Sequence, residues 1–293
     1  MELKEIKRKT DSVRNIWKLT CALETLSALK MKKAQKIALL SRPFAEKTAQ
    51  ILETLESSFN EIKSIFFEEK EKINKILAVV LASDRGFCGS FNHNVLNAAE
   101  KEIREIKKEK EVEVLPIGKK ATSYFKKRGY DIKFNFFGIG DYGELEDIKI
   151  ISDFLVKNFS ENKFQEVYLF YTDFISTFYQ KPKAVRSLPI KKETLKEFLK
   201  EEVLPKEKID FLIEPSVEIL AREIIPQLIE YLIYQAVLEA NAAEHSARMM
   251  AMRNASENAQ EKVIELNLEY NKARQEQITS EVCEISSTKE VLE

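Results

Sequence analysis

The spacing of apolar residues predicts helices at both ends of the chain and a region of mixed pattern between them. Residues 1–72 place an apolar residue at every third or fourth position, the repeat of a helix in a coiled coil. These positions are Ile16, Leu19, Leu23 and Leu26. Lys30 and Lys33 continue the same repeat, so charge interrupts the apolar stripe. Because proline disrupts helix interiors, we expect the first helix to kink or stop at Pro43.

Residues 73–214 carry the pattern of an α/β domain. The continuous apolar run at 76–82 is typical of a buried parallel strand. Further strands are predicted at 112–115, 132–137 and 167–171, helices at 92–110, 119–128 and 144–158, a hairpin arm at 178–189 and a charged linker at 191–208. Strands that alternate with helices predict a Rossmann-like open sheet, and the prolines of the hairpin arm place it at the sheet edge.

Residues 215–293 predict one long helix, which Pro226 kinks and which then contains no Gly or Pro. The ~60 residues of 227–286 would extend about 90 Å, whereas a compact chain of this length has a radius of gyration of about 19 Å. The helix must therefore project from the α/β domain. One apolar stripe runs along it at Met252, Ala255, Ala259, Val263, Leu266, Tyr270 and Ala273.

The two terminal helices match each other in pattern and are opposite in charge. The first 40 residues hold ten Lys or Arg against four Asp or Glu, and residues 241–293 hold six against ten. We therefore predict an α/β protein whose N- and C-terminal helices form a rod, a long antiparallel coiled coil. If the first helix stops at Pro43, it leaves part of the other uncovered. The apolar residues of that part are Leu266, Leu268, Tyr270, Ile278, Val282 and Ile285.

Uncovered apolar positions on a helix predict a surface for another protein. A lone helix gains little stability without packing, and exposed apolar stripes mark interaction sites. We expect a partner to surround the tip of the rod. The alternatives at this stage are a frayed tail and a homodimeric coiled coil.

Composition and charge exclude several classes of function. The net charge of −1 gives no general attraction to nucleic acid. Cys21, Cys88 and Cys283 lie far apart, and only two histidines occur, so neither a disulfide framework nor a zinc site is predicted. We find no apolar stretch of the ~20 residues that a membrane span needs. The basic N-terminus lacks the apolar region of a secretory signal.

The glycine-containing segment SDRGFCGSFN at 83–92 is the candidate for chemistry, because it follows a strand and precedes a helix. Its glycines fit neither the dinucleotide-binding spacing nor the Walker spacing. A Cys88 nucleophile with His93 as its base stays open as an alternative, which would make the chain an α/β enzyme. We favour a glycine turn in which Ser90 or Asn92 caps the following helix.

Three groups of segments are recognisable as a family pattern. They are KEIKRK at 4–9 with 12–15, 30–35 and 41–45; SDRGFCGSFN at 83–92; and EHSARMMAM at 244–252 with 270–275 and 278–279. On these segments the chain resembles the gamma subunit of F-type ATP synthase over essentially its whole length. It departs at Trp17, at Cys21, where the family often has a lysine, and at Ser90, where the family has a second glycine.

The resemblance implies a rotor shaft that is not itself an enzyme and binds no cofactor. The rod would turn inside a ring of alternating alpha and beta subunits, while the α/β domain and the foot of the rod rest on a ring of c subunits in the membrane. Proton flow would turn the shaft and couple to ATP synthesis or hydrolysis at the beta subunits. An epsilon subunit would be a further partner. The chain would lie peripherally on the cytoplasmic face of a bacterial cell membrane.

The resemblance also assigns contact residues. Those predicted to face the beta subunits near the α/β domain are Arg8, Lys9, Lys30 and Lys33. Those predicted to contact the hexamer further along the shaft are Arg248, Arg274 and Gln275. Phe211, Ile213 and Glu214 would form the foot near the c-ring. A coiled-coil scaffold without an ATPase partner is the remaining alternative.

Overall fold

The computed structural model describes residues 3–56, 65–67, 70, 72–190 and 217–292. The predicted linker at 191–208 lies outside these residues. Contacts group the chain into two compact units. We call Ala28–Ala247 the sheet unit, and Met1–Ser27 together with Arg248–Glu293 the helical unit. The division into segments 1–72, 73–214 and 215–293 stays a prediction.

Five helices and four strands follow one another in the described residues. They are α1 (Leu3–Glu56), β1 (Lys75–Leu81), α2 (Phe91–Ile106), β2 (Glu111–Ile117), α3 (Lys119–Lys127), α4 (Leu145–Ser160), β3 (Glu166–Phe174), β4 (Gln180–Leu188) and α5 (Val217–Leu292). The long helices at both ends and the α/β elements between them match the predicted order, except that the described residues between α3 and α4 form no strand.

The four strands form one sheet in the order β2-β1-β3-β4. β1 pairs in parallel with both β2 and β3, and β4 pairs antiparallel with β3 at the edge. β1 is central, and its residues 76–81 are at most 3% exposed, which explains their unbroken apolar run. The predicted edge position of the hairpin arm is confirmed. Pro182 lies on that edge strand, opposite Thr172 of β3.

The strand predicted at 132–137 is wrong. Only Phe136 pairs with the sheet, through an isolated parallel bridge to Ile117. The alternation that suggested a strand has another cause. Phe136 packs against the core, while Phe134 and Phe137 are 51% and 57% exposed. Gly138 follows with a φ of 80°, a left-handed conformation that turns the chain away from the sheet.

Alternate residues of β1 supply the two faces of the sheet. Leu77, Val79 and Leu81 join a core cluster with α4 and with residues 225–240 of α5. Ala78 and Val80 join a second cluster with α2 and α3 on the other face. The long C-terminal helix is therefore part of the core of the sheet unit along its first turns.

Both internal prolines of the long helices lie inside continuous helix. α1 runs for 54 residues through Pro43, and α5 runs for 76 residues through Pro226. The expectation that the first helix stops at Pro43 is wrong. A proline removes one backbone hydrogen bond, and the segments around Pro43 are rich in Ala, Leu and Lys, which are strong helix formers.

The buried face of α1 is not the predicted apolar stripe. Ile16, Leu19 and Leu26 are 52%, 59% and 52% exposed. The buried residues of this helix in the helical unit are Ile6, Thr10, Thr20 and Ser27. The buried positions Thr20 and Ser27 each follow a predicted position by one residue, which is a rotation of about 100° around the helix.

Small hydroxyl residues fill this buried face because the helix satisfies their polar groups. Thr10 donates a hydrogen bond from Oγ1 to the carbonyl of Ile6 at 2.9 Å, and Ser27 donates from Oγ to the carbonyl of Leu23 at 2.7 Å. A side chain bonded to its own backbone is buried at little cost. A search for large apolar residues therefore missed this face.

The stripe predicted on α5 is confirmed in the helical unit. Met252, Ala259 and Leu266 are buried, and the remaining positions of the stripe are partly buried. Ser256, also buried, donates from Oγ to Glu24 Oε2 of α1 at 3.5 Å.

Substitutions at a serine should destabilise α1 more than substitutions at a neighbouring leucine, because the serine is buried and the leucine is exposed. The hydrophobic pattern alone suggests the reverse. Ser27→Leu adds a large side chain at a 3% exposed position and should cost about 1–3 kcal/mol of unfolding free energy through overpacking. Leu26→Ser at a 52% exposed position should stay within about 0.5 kcal/mol. Urea unfolding followed by circular dichroism measures both. A larger loss for Leu26→Ser than for Ser27→Leu would contradict the assignment of the buried face.

Candidate functional site

The last described turns of α5 expose every side chain with a defined environment. All residues from 274 to 285 are exposed. Ile278, Val282 and Ile285 are 47%, 55% and 71% exposed, although each is a large apolar residue. Of the residues predicted to be uncovered, these three and Leu268 are confirmed.

The prediction that Leu266 is uncovered was wrong, because its side chain is only 4% exposed. Tyr270, also predicted to be uncovered, is partly buried. Leu266 continues the buried face of Met252 and Ala259. Leu3, Lys4 and Lys7 of α1 line a groove together with Tyr270, Ala273, Glu276 and Gln277. The covered part of α5 therefore extends further than predicted.

The predicted contact residues of the helical unit are mostly on its surface. Arg8 and Lys9 of α1 are exposed, and Lys9 lies 3.4 Å from Glu5 on the preceding turn. Arg274 and Gln275 are also exposed. Arg248 differs, because it is only 8% exposed. Its guanidinium is thus largely shielded within the chain.

Lys30 and Lys33 contact other residues of the sheet unit. The Lys30 ammonium lies 2.6 Å from Oδ2 of Asp141. The Lys33 ammonium lies 4.0 Å from the centre of the Tyr142 ring, a cation–π contact. These two lysines and their partners were not connected by the sequence analysis. Phe211, Ile213 and Glu214, the predicted foot, lie outside the described residues.

Asp141 binds both long helices with its two carboxylate oxygens. Oδ2 accepts the hydrogen bond of Lys30 on α1, and Oδ1 lies 3.1 Å from Nε2 of His245 on α5. His245 is only 3% exposed. One carboxylate therefore contacts a cationic side chain on one helix and an imidazole on the other.

The charges around Asp141 decide its protonation. Burial raises the pKa of this carboxyl, but the hydrogen bond from Lys30 and the charges of His245, Lys30 and Arg85 outweigh burial and lower it. Asp141 is therefore ionised at neutral pH, as its role as an ion-pair partner requires.

The segment 138–144, which we call the clamp loop, continues these contacts on both sides of Asp141. The carbonyl of Gly140 accepts a hydrogen bond from Nδ2 of Asn241 on α5 at 3.2 Å. Gly143 has a φ of 63°. A Cβ at that position would lie 3.2 Å from Cγ1 of Val237 on α5. Glycine is thus required there both by the backbone conformation and by the closeness of the helix.

Asp84 connects the clamp loop to the end of β1. Its Oδ2 accepts the backbone N–H of Gly138 at 2.8 Å, and its Oδ1 accepts the backbone N–H of Lys119 at 2.8 Å. The glycine-containing segment thus supplies an acceptor that fixes the clamp loop. Gly138, Gly140 and Gly143 within six positions were the sequence signal that could have revealed this loop, in a chain with only seven glycines.

The Cys88 environment does not resemble a nucleophile with a base. Cys88 is 2% exposed, and its Sγ accepts a hydrogen bond from Nδ2 of Asn92 at 3.1 Å. Nε2 of His93 instead lies 2.8 Å from Nδ2 of Asn97 on the exposed side of α2. The geometry gives no support to a Cys88–His93 pair.

The expected side-chain cap of α2 is also wrong. Ser90 occupies the N-cap position, but its side chain caps no backbone N–H of the helix; its Oγ instead accepts a hydrogen bond from Nδ2 of Asn94 at 3.2 Å. The Asn92 side chain binds Ser83 instead, accepting its backbone N–H at 3.0 Å. Asn92 therefore closes the turn across Ser83 and Cys88, and the backbone N–H of Asn94 binds the carbonyl of Ser90 at 2.9 Å.

The largest cluster of perturbed titratable groups joins α2 to α3. Glu100 is 7% exposed. Burial raises its pKa, but hydrogen bonds from Tyr124 and Arg104 and the charges of Arg128 and Arg104 lower it overall. Burial and the hydrogen bond to Glu100 raise the pKa of Tyr124 to about 12. Each group has a partner, so the cluster braces two helices and offers no free acid or base.

Metal-binding clusters and membrane-spanning helices are the two further features considered for the described residues. There, no three His, Cys, Asp or Glu side chains come together in a way that could hold a metal ion. Within the same described segments, no helix is both long and apolar enough to cross a membrane.

Acid should remove the contribution of Asp141 to stability. Because the folded-state pKa lies below the usual 3.8, the ion pairs stabilise the fold fully above about pH 4 to 5 and lose that effect as the pH falls through the lowered value. Asp141→Asn should thus be less stable than the parent at pH 6, and the difference should shrink towards pH 3. Urea unfolding at a series of pH values tests this, with the exposed Asp153→Asn as the control. A difference that stays constant down to pH 3 would contradict it.

Comparison with known proteins identifies the family. A family profile described as ATP synthase matches residues 2–292. The ATP synthase gamma chain of Pelotomaculum thermopropionicum is 34% identical over 97% of this chain and 96% of its own length. That of a Roseiflexus species is 38% identical over 97% of this chain and 96% of its own length.

Two solved structures share the fold. A chain in the Euglena gracilis mitochondrial ATP synthase structure titled OSCP/F1/c-ring has a TM-score of 0.64 at 19% identity, covering 99% of this chain and 94% of that chain. A chain in the Tetrahymena thermophila structure titled central stalk/cring has a TM-score of 0.60 at 22% identity, covering 81% and 99%. Since the profile and the relatives cover almost the whole chain, it belongs to the ATP synthase gamma chain family.

Proposed function

We propose that this chain is the central rotor shaft of an F-type ATP synthase. It couples rotation of a membrane c-ring to ATP synthesis or hydrolysis at the beta subunits of a surrounding hexamer. The observation that carries the proposal is the exposed segment 274–285 of α5, which continues as regular helix although nothing in the described chain covers its apolar residues. Its membership of the gamma chain family supports the same role.

The exposed apolar surface is larger than this tip. On α1 it includes the predicted stripe at Ile16, Leu19 and Leu26, and on α5 it adds Ile264 and Leu268. Single exposed apolar residues are common on soluble proteins, but continuous rows of them mark interfaces. A sleeve of partner subunits around the helical unit would cover such rows.

The two helices of this unit form an antiparallel coiled coil in this proposal. Buried residues of α1 recur at spacings that fit a heptad, from Ile6 to Thr10 and from Thr20 to Ser27. Glu24 meets Ser256, whereas Leu3 shares a groove with Tyr270. An earlier residue of α1 thus meets a later residue of α5, as opposite directions require.

The sheet unit takes a Rossmann-like form in the same proposal. Three parallel strands in the order β2-β1-β3, with helical connections, support that description. The antiparallel edge strand β4 is an addition to it.

Charged residues on the shaft provide contacts that depend on the angle of rotation. Arg8, Lys9 and Arg274 are exposed, so their charges can act on acidic surfaces of a hexamer. The neutral Gln275 is exposed as well and offers a hydrogen-bonding amide. Lys33 is exposed as well. Lys30 and Arg248 are more enclosed, so in this proposal they reach the hexamer less directly. Each beta site then differs in affinity according to the face of the shaft it meets, which couples rotation to nucleotide binding.

The remaining partners follow from the same role. We propose a foot at Phe211, Ile213 and Glu214 that contacts the c-ring, and contact with an epsilon subunit. The chain lies peripherally on the cytoplasmic face of a bacterial membrane in this scheme. It neither catalyses the reaction nor binds a cofactor, because ATP chemistry belongs to the beta subunits. The c-ring is named in the titles of two solved structures that share this fold.

Removing the apolar character of the exposed tip should weaken assembly and torque. The variant replaces Ile278, Val282 and Ile285 with serine. Its complex with alpha and beta subunits should dissociate more readily and generate less torque, because the tip loses the apolar area that the sleeve covers. Co-purification and single-molecule rotation measure these effects.

A matched control replaces three exposed polar residues of the same turns, Glu276, Gln277 and Glu281, with serine. We expect it to assemble and rotate like the parent chain. Equal behaviour of both triple variants would argue against a sleeve around the tip. Failure of the parent chain to co-purify with alpha and beta subunits would overturn the proposed function.

A further inference from the structure

We propose that the clamp loop, residues 138–144, is a torsional brace that locks both long helices to the sheet, with Asp141 as its positioning residue. Torque applied to the sheet unit is then transmitted to α1 and α5 together. The inference rests on the proposed function, because torque matters only in a rotor. It concerns contacts inside the sheet unit alone.

One short loop contacts both helices. Asp141 reaches Lys30 of α1 at 2.6 Å and His245 of α5 at 3.1 Å. The next residue, Tyr142, lies under the ammonium of Lys33. On the other helix, Asn241 donates to the carbonyl of Gly140. Contacts to two successive turns of each helix resist rotation of that helix about its own axis.

The clamp loop is also hydrogen-bonded to the residues that follow β1 of the sheet. Asp84 follows β1 after two residues and accepts the backbone N–H of Gly138. The same carboxylate accepts the backbone N–H of Lys119 at the start of α3. Force on the sheet thus has a continuous path through β1, Asp84 and Gly138 to Asp141. This path consists of hydrogen bonds and ion pairs between defined atoms, as mechanical coupling requires.

The clamp loop packs closely against α5 at Gly143. A Cβ on Gly143 would lie 3.2 Å from Cγ1 of Val237 and 3.4 Å from Cε2 of Tyr234. The contact with Val237 is tighter than ordinary van der Waals packing, so a side chain at this position requires the loop or Val237 to shift. The clamp loop is therefore held by close packing at Gly143 and by the ionic contacts of Asp141.

One direct hydrogen bond between the two helices of the sheet unit can be compared with the clamp loop. Ser41 of α1 donates from Oγ to Oε1 of Gln235 on α5 at 3.2 Å. A neutral hydrogen bond between two flexible side chains is a weaker constraint than a carboxylate shared by two cationic or polar partners. Changing Asp141 should therefore loosen the joint more than changing Ser41.

The test measures stiffness in the assembled complex. The hexamer is fixed to a surface, and a bead is attached to the sheet unit through Lys127→Cys, with Cys21→Ala and Cys283→Ser to remove the other accessible thiols. During pauses the bead fluctuates about its mean angle, and the variance of that angle rises as the shaft softens. We expect Asp141→Asn to raise the variance and leave unloaded ATP hydrolysis unchanged. Asp153→Asn, the same chemical change at an exposed site on α4, should alter neither.

A second pair of variants separates contact with α5 from backbone strain. Gly143→Ala and Gly129→Ala both place a side chain at a left-handed φ, of 63° and 79°. Only at Gly143 would the new Cβ meet a helix, since nothing lies within 4 Å at Gly129. We expect Gly143→Ala to raise the angular variance and Gly129→Ala to leave it at the parent value. If the Asp141→Asn chain does not assemble into the complex, the two glycine variants still test the brace.

The outcomes separate the two proposals. If the parent complex does not assemble or rotate, the proposed function fails. If it rotates and neither Asp141→Asn nor Gly143→Ala changes the angular variance, the brace is overturned while the rotor role stands. Loss of assembly in both variants would also overturn it, because the loop would then be a folding element. A rise in variance at a normal hydrolysis rate supports the brace, since a general folding defect would also lower the hydrolysis rate.

Discussion

The structure depends on one constraint: a single helix must remain helical in three different environments. The first turns of α5 lie within the core of the sheet unit, where Leu228, Leu232 and Ala236 are almost completely buried. Between 252 and 266 only one stripe is buried, and from 274 to 285 nothing is. Ala, Glu, Lys and Gln supply helix propensity throughout. Among the described residues, packing within the chain covers only the first two parts, so in the proposed rotor the third is left for a partner.

The composition of α1 fits the same constraint. In the proposed rotor, α1 is covered by partner subunits on one face and by α5 on the other, so it needs apolar groups on both faces but has little room between the two helices. Thr10, Thr20 and Ser27 are small enough to lie inside, and their hydroxyls are bonded to their own helix. The larger Ile16 and Leu19 are left for the outer surface. Apolar surface that would normally form a core is thus available to other subunits.

Local sequence patterns predicted β1 and the edge position of β4. Features that depend on contacts between distant residues could not be predicted in this way. The apolar run of β1 and Pro182 of β4 carry their information within a few adjacent residues, and both predictions are confirmed. The buried face of α1 was missed because hydrogen-bonded serine and threonine look polar in a sequence. The contacts of Asp141 join residues 30, 141 and 245, and no periodicity links such distant positions. Pro43 misled because surrounding residues with strong helix propensity outweighed one lost hydrogen bond.

The pairing of Glu24 with Ser256 has a consequence for biosynthesis. These residues are 232 positions apart, and a ribosome adding ~5–20 residues per second needs roughly 10–50 s to make the intervening chain. During that time Ile6, which is buried in the folded chain, has no partner helix, and the outward-facing Ile16, Leu19 and Leu26 are exposed as they are in the finished chain. A nascent chain of this design depends on a holding chaperone or on prompt capture by its future neighbours, so its supply has to be matched to theirs.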